Sequence, residues 1–304
     1  TTTTAPPGPT ALPAPAPLTP FAPPATSSDG MWTPVGRPVN GVPAVYETRL
    51  APPGGAAGAG IAWMDTNLLR AQLYSGSKSP GGGPYQFTAP VAPAEAATLV
   101  AAFNGGFLMK DAQGGYFTEG RAIYPLVNGA ASLVIRSDGS VTVGAWGSDV
   151  TMTPAVVAVR QNLIPLVAAG QPTAQASNPD WAVWGATCGA SSCAPTVPGL
   201  ENQWRSGAGV TANGALVYVA GPSLDPLQLA QLLVHAGVVR GMELDINPSW
   251  PVFATYDPPG NGPAGPSNGS SLEPSSVQGP ATFFSASWGR DFVTMSARTA
   301  ASTG

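Results

Sequence analysis

Gly207–Asn247 reads GAGVTANGALVYVAGPSLDPLQLAQLLVHAGVVRGMELDIN, and this stretch decides how the rest of the chain is read. Asn213-Gly214 is the strongest short hairpin signal, so Gly207–Thr211 and Ala215–Ala220 are predicted to pair. Ser223–Gly237 predicts a helix, with Ser223 at the N-cap, Asp225 in the first turn and Gly237 at the stop. Leu229, Leu232 and Leu233 form its apolar stripe. Gly241–Asn247 then alternates with period two. Met242, Leu244 and Ile246 should face a core, and Glu243, Asp245 and Asn247 the wetter side. Hairpin, helix and strand in succession predict an α+β fold with mixed, largely antiparallel sheets and a few packed helices.

The same reading extends in both directions. Val42–Leu50 and Gly60–Asp65 form a predicted hairpin, continued by Leu68–Tyr74. Ala92–Ala102 predicts a helix from its Ala and Leu content, with Pro93 in the first turn. Strands are expected near Tyr116–Ile123, Ser132–Arg136 and Val141–Ala145, the last two joined by a turn at Ser137-Asp138-Gly139. Val156–Leu166 fits helix or strand. Residues 170–204 read as a loop-rich insertion with Trp181, Trp184 and Trp204. Residues 257–280 read as a loop, and Thr282–Ser287 with Asp291–Ala297 as a final hairpin. Residues 1–30, rich in Pro, Ala and Thr, predict an extended disordered linker with nothing to pack. The folded domain is expected over 31–298, with a flexible tail at 299–304.

Composition narrows the function. Hydrophobic residues make up 43% of the 304, enough for a sizeable core, whereas charged residues make up only 9%. Twelve Lys and Arg with a net charge of −4 form no basic tract, which disfavours nucleic acid and anionic membrane surfaces as partners. No apolar run reaches the length of a membrane span. The chain opens inside a low-complexity tract, which reads as one whose targeting segment has been removed. An exported or cell-envelope location follows, with the Pro-rich tract as the spacer to an anchor. In that oxidising setting Cys188 and Cys193, in CGASSC, are expected to form a disulfide. His235 is the single histidine, so neither a histidine-based zinc site nor a Ser–His–Asp set is indicated.

With charge so scarce, the polar groups that remain are informative. Glu243 and Asp245 lie two apart on one strand, a spacing suited to acid–base work. Asn104-Gly105-Gly106, inside Phe103–Phe107, would let a ligand approach the main chain closely. Arg205 opens a strand among small neighbours, where a planar guanidinium could grip a phosphate. Glu119 and Arg121 lie close enough in sequence to reach the same site. Glu243, Asp245 and Asn247 could hold a divalent cation such as Ca2+, but no cofactor is required by these residue types.

Taken in order, the Asn-Gly-Gly-Phe segment, the Arg opening a strand before a hairpin, the SLDPLQLAQLLVHAG helix and the strand ending in Leu244-Asp245 resemble the phosphodiester glycosidase family over residues 40–297. Members remove N-acetylglucosamine from a sugar phosphodiester and uncover a phosphomonoester. The resemblance implies a site at Asn104, Gly105, Gly106, Arg205 and Asp245. It also departs from the family. A Gly-rich, Ser-containing turn usually follows the Leu-Asp, but here Asp245 is followed by Ile246-Asn247-Pro248-Ser249-Trp250. Pro248 has no amide to offer an anion, and Trp250 instead offers a stacking face for a sugar.

The expected function is therefore a secreted bacterial hydrolase of a glycosyl phosphodiester or envelope glycan. Asp245, Glu243 and Arg205 would carry the chemistry, and Asn104, Asn247 and Trp250 would hold the sugar. The alternative is a carbohydrate-binding or structural envelope domain that lacks catalysis.

Overall fold

The computed structural model describes residues 10–24, 26–55, 57–177, 184, 203–246 and 248–298. Cys188, Cys193, Asn247 and Trp181 lie outside the described residues.

The fold is mostly antiparallel β, with few helices. Its named strands form three sheets of eight, five and five. The large sheet runs in the order Thr33–Val35, Val45–Leu50, Ala59–Met64, Leu216–Leu224, Gln203–Thr211, Val238–Ile246, Val167–Ala168 and Gln171–Pro172. A second sheet orders Arg121–Tyr124, Tyr116–Thr118, Val156–Gln161, Ala131–Arg136 and Val141–Ala145. The third orders Gly269–Ser271, Phe253–Tyr256, Leu99–Asn104, Phe292–Ala297 and Leu69–Tyr74.

The deciding stretch folds as hairpin, helix and strand. The turn differs in type from a two-residue loop. Val210 pairs with Leu216, Thr211 N bonds Ala215 O at 3.0 Å, and only Gly214 takes a left-handed φ, of 91°. The helix is Pro226–His235, capped by Asp225 rather than Ser223. Asp225 Oδ1 accepts from Gln228 N, and Gln228 Oε1 accepts from Asp225 N, a reciprocal box that Ser223 is too far upstream to make. Gly237 at φ 89° ends the helix as expected. Leu229, Leu232 and Leu233 are wholly buried, and the helix lies on the 203–211, 216–224 and 238–246 strands. Strands 131–136 and 141–145 also pack against Val238–Ile246.

Four expectations change. Only Pro93–Ala96 of the 92–102 segment is helical, and Leu99–Asn104 is the central strand of the third sheet. Two flanking partners, 253–256 and 292–297, outweigh the helix propensity of its alanines. Leu69–Tyr74 leaves the preceding hairpin and pairs with 292–297. Pro280–Phe284 is a short 3-10 helix, so no terminal hairpin forms.

The fourth concerns the N-terminal tract, which from Thr10 onward packs and hydrogen-bonds on the domain. Leu12 N donates to Asp65 Oδ2 at 2.7 Å, Asn67 Nδ2 to Thr10 O at 2.9 Å and Trp32 Nε1 to Ala16 O at 2.8 Å. His235 Nε2 meets Thr19 O at 2.7 Å, and the Phe21 ring lies 4.3 Å from the His235 ring. Ala11, Leu12 and Leu18 pack on the main core. Pro fixes the extended shape, and interspersed Ala and Leu give it something to bury.

Candidate active site

The three sheets meet where strand Val238–Ile246 nears its end. Its ladder with Gln203–Thr211 carries a bulge there: Gly207 pairs with Glu243, but Arg205 pairs with Ile246. One extra residue therefore sits between Glu243 and Ile246, and the regular period-two alternation is broken. The side chain of Asn162 fills the irregularity. Its Nδ2 donates to Glu243 O and Leu244 O, both at 3.0 Å, and its Oδ1 accepts from Phe107 N at 3.0 Å. Ser206 Oγ completes the seam, 3.2 Å from both Asp245 N and Asp245 O.

This changes the expectation of a wet polar face. Every residue from Gly241 to Ile246 is buried. Glu243 and Asp245 have different partners instead of facing each other. Arg205 pairs with Glu243 and also donates Nε to Leu224 O at 2.8 Å. Arg290 pairs with Asp245 and donates to Gly106 O at 3.1 Å. A third pair, Arg160 with Asp291, lies alongside, with Nε–Oδ2 2.7 Å. Arg160 also donates to Phe107 O, and its guanidinium stands 5.9 Å from the Tyr116 ring centroid.

Burial dominates the titration of both strand carboxyls. It pushes Asp245 up from its ordinary 3.8 to about 7, against the stabilising charge of Arg290. Asp291 adds to that rise, and the Ile246 N–H and Arg160 oppose it. Glu243 is likewise raised by burial and held back by Arg205.

Asn104 sits at the centre, with no hydrogen-bonding capacity to spare. Its Oδ1 accepts from Tyr218 Oη at 2.7 Å and Val252 N at 3.1 Å. Its Nδ2 donates to Gly105 O at 2.7 Å and Ser206 Oγ at 3.1 Å. Two lone pairs and two N–H groups are thus engaged, so Asn104 organises the site rather than offering itself to a sugar. Gly105 and Gly106 are needed for close approach to side chains. A Cβ on Gly105 would collide with Asp291 Oδ2, and one on Gly106 would lie 2.6 Å from Asn162 Oδ1.

Arg205, Asn104, Glu243 and Asp245, far apart in sequence, do come together. Arg205 is wholly buried and bonded inside the domain. Arg290 is the cation nearer the surface, 8% exposed in its side chain, and its buried Nε has no partner. The half-buried Trp250 ring lies 4.7 Å from the Arg290 guanidinium and 5.8 Å from the Trp288 ring. Glu119 and Arg121 are held by another part of the chain: Glu119 Oε1 accepts from Phe87 N at 2.9 Å, and Arg121 donates to Pro84 O at 3.0 Å. Among the described residues no group of three or more His, Cys, Asp or Glu is placed to hold a metal ion. A guanidinium, instead, faces each of Glu243 and Asp245.

Arg160, Asn162, Arg290 and Asp291 were missed by sequence reasoning. The signal was present in Val156-Val157-Ala158-Val159-Arg160-Gln161-Asn162, where three polar residues end an apolar strand that has little room for charge. Arg290-Asp291, adjacent opposite charges opening a strand, was a second.

No protein-family model matches the chain, and no curated protein sequence matches it. Among solved structures, the catalytic domain of zebrafish N-acetylglucosamine-1-phosphodiester α-N-acetylglucosaminidase is similar at 14% identity and a TM-score of 0.48, over 88% of each chain. An uncharacterised Synechocystis protein is similar at 12% identity and a TM-score of 0.47, over 88% of this chain and 64% of that one. A Burkholderia pseudomallei K96243 protein named as exported is similar at 13% identity and a TM-score of 0.40, over 79% of this chain and 74% of that one.

Proposed function

We propose that the chain hydrolyses a glycosyl phosphodiester, with Asp245 as the reacting carboxylate and Arg290 as the cation that receives the phosphate. The supporting observation is that the buried Asp245 faces a guanidinium, Arg290, while the nearby carboxyls Glu243 and Asp291 are each held in an ion pair by another arginine. Glycosidases acting on ordinary glycosides use two carboxyl groups, one of them to protonate a poor leaving group. A phosphomonoester leaves as a stabilised anion, so a cation can take the place of the acid. Asp245, raised to about 7, can hold or release a proton near neutral pH.

In this reading the Arg290 Nε, buried without a partner, is a donor for a phosphate oxygen, and Trp250 supplies the ring face for the sugar. Asp245 assists water or attacks the anomeric carbon. Arg205, Glu243, Asn104 and Asn162 hold the bulge in place. The order of the sequence motifs supports the same chemistry. An exported or cell-envelope location and the Cys188–Cys193 disulfide belong to this proposal. Among the described residues no helix is long and apolar enough to cross a membrane.

Formation of free sugar and p-nitrophenyl phosphate from the p-nitrophenyl phosphodiesters of N-acetylglucosamine and glucose, followed by chromatography, tests the assignment; p-nitrophenol released directly would instead report cleavage at phosphorus and count against it. Turnover that falls by at least about 10²-fold in Asp245→Asn is expected. Full turnover in that variant would overturn it.

A further inference from the structure

A second opening lies apart from the Asp245 site, between the Leu69–Tyr74 edge of one sheet and the sheet containing Tyr116–Thr118, Ala131–Arg136 and Val156–Gln161. It is a cleft of about 600 Å3, within the size range of ligand sites. Arg70, Gln72, Gln86, Glu119 and Arg136 present planar polar heads along it, and Phe87 contributes an apolar face.

Much of this hydrogen-bonding capacity is uncommitted. The Arg136 guanidinium makes no hydrogen bond or ion pair with another described residue, and Asp138 is the charge it acts on. Glu119 uses one oxygen, accepting from Phe87 N at 2.9 Å. Gln72 uses only its amide nitrogen, toward Leu73 O at 3.1 Å. Arg70 meets Glu95 through one nitrogen at 2.8 Å. The lining is also fixed in place. Arg70, Gln72 and Arg136 are on strands. Glu119 occupies a two-residue hairpin turn, with φ 51° at Glu119 and 73° at Gly120. Strand positions hold polar groups more accurately than loops do.

We infer that this cleft is a second carbohydrate site, for a neutral oligosaccharide. Guanidinium, carboxylate and carboxamide heads each carry two donors or acceptors in one plane, which matches adjacent hydroxyls on a sugar ring. Charge argues against an ionic ligand: Arg70 and Arg136 are balanced by Glu119 and by Asp138, which also lines the cleft. Arg70 and Gln72, two apart on one strand, face the same way with a spacing of about 7 Å, suited to successive positions along a saccharide. The cleft would hold a glycan chain on the protein whether or not Asp245 cleaves it.

The test is titration of the full chain, carrying Asp245→Asn so that no ligand is consumed, with maltotetraose and with chitotetraose, by calorimetry and chemical-shift perturbation. Binding of one of them is expected. It should weaken at least tenfold in Arg136→Ala and in Gln86→Ala, both of which should keep the parental melting temperature because neither side chain hydrogen-bonds another described residue. No binding of either sugar, or binding unchanged by both substitutions, would overturn the inference. The readout needs no turnover, so failure of the hydrolase proposal leaves it intact.

Discussion

The Arg160 guanidinium and the Asp291 carboxylate meet with an Nε–Oδ2 distance of 2.7 Å, and neither side chain is more than 1% exposed. Arg160 is on the sheet of 116–161, and Asp291 precedes Phe292–Ala297 of another sheet, so one ion pair ties the two sheets together beside Asp245. Asp291→Asn leaves a buried cation without its counter-charge and should lower stability by about 3–5 kcal/mol. In Arg160→Met with Asp291→Asn the loss should be well below the sum of the two single losses, because neither charge is then stranded. Urea denaturation of the four proteins measures both; additive losses would count against the pairing.

Removal of residues 1–30 should lower the melting temperature by several degrees. The shortened chain lacks the Leu12 N bond to Asp65, the Thr10 O bond to Asn67 and the packing of Leu12 and Leu18 on the core. For a chain of this size each kcal/mol is worth about 2–4 °C. Scanning calorimetry of the shortened and full chains decides it. An unchanged midpoint would mean that the segment contributes nothing to folding.

Glu47 gives the protein a stability gradient of predictable sign. Burial, and then the nearby Glu273, raise its carboxyl from 4.5 to about 7, and Glu47 Oε1 is buried without a partner. The folded state therefore binds the proton more tightly than the unfolded chain does. Below about pH 4.5 both states are protonated and the group costs nothing. Between 4.5 and about 7 the unfolded chain releases its proton first, so this group's contribution turns against folding as pH rises, and it levels off above the folded value. Glu47→Gln should match the parent at pH 4 and melt at a higher temperature at pH 8. A constant difference between the two proteins across that range would contradict the assignment.

How much of this could be read from sequence depended on whether the signal was local. Asp225, Gly237 and the Leu229–Leu233 stripe define the helix from within, and Asn213-Gly214 marks its hairpin. Leu99–Asn104 was misread because Leu-Val-Ala-Ala is compatible with helix, and only its neighbours at 253–256 and 292–297 make it a strand. The site divides in the same way. Asp245 and Arg205 stood out as charges in apolar strands. Which cation meets which carboxylate was not legible, because the bulge opposite Ser206 gives Glu243 to Arg205 and Asp245 to Arg290, and no short-range pattern encodes that division.

The two arginines beside the strand carboxyls should separate cleanly in a mutational test. Arg205 is wholly buried and joined to Glu243 and Leu224 O. An ammonium cannot reproduce that planar bonding, so Arg205→Lys should mainly lower the melting temperature. Arg290 is nearer the surface and next to Trp250, so Arg290→Lys should keep most of the stability and raise KM for an anionic phosphodiester. It should also lower kcat, because phosphate charge grows as the bond to the sugar breaks. Asp245→Asn should reduce kcat/KM by about 10²–10⁴-fold, the range of a lost general base. In the parent, kcat/KM should rise with pH through about 7, as the buried carboxyl gives up its proton. Arg290→Lys should move that midpoint upward, since a less well-matched cation stabilises the carboxylate less. Steady-state kinetics from pH 5 to 9, alongside melting curves for each variant, would show the separation. Equal loss of stability in the two lysine variants, or a pH profile flat through neutrality, would remove Asp245 and Arg290 from the chemistry.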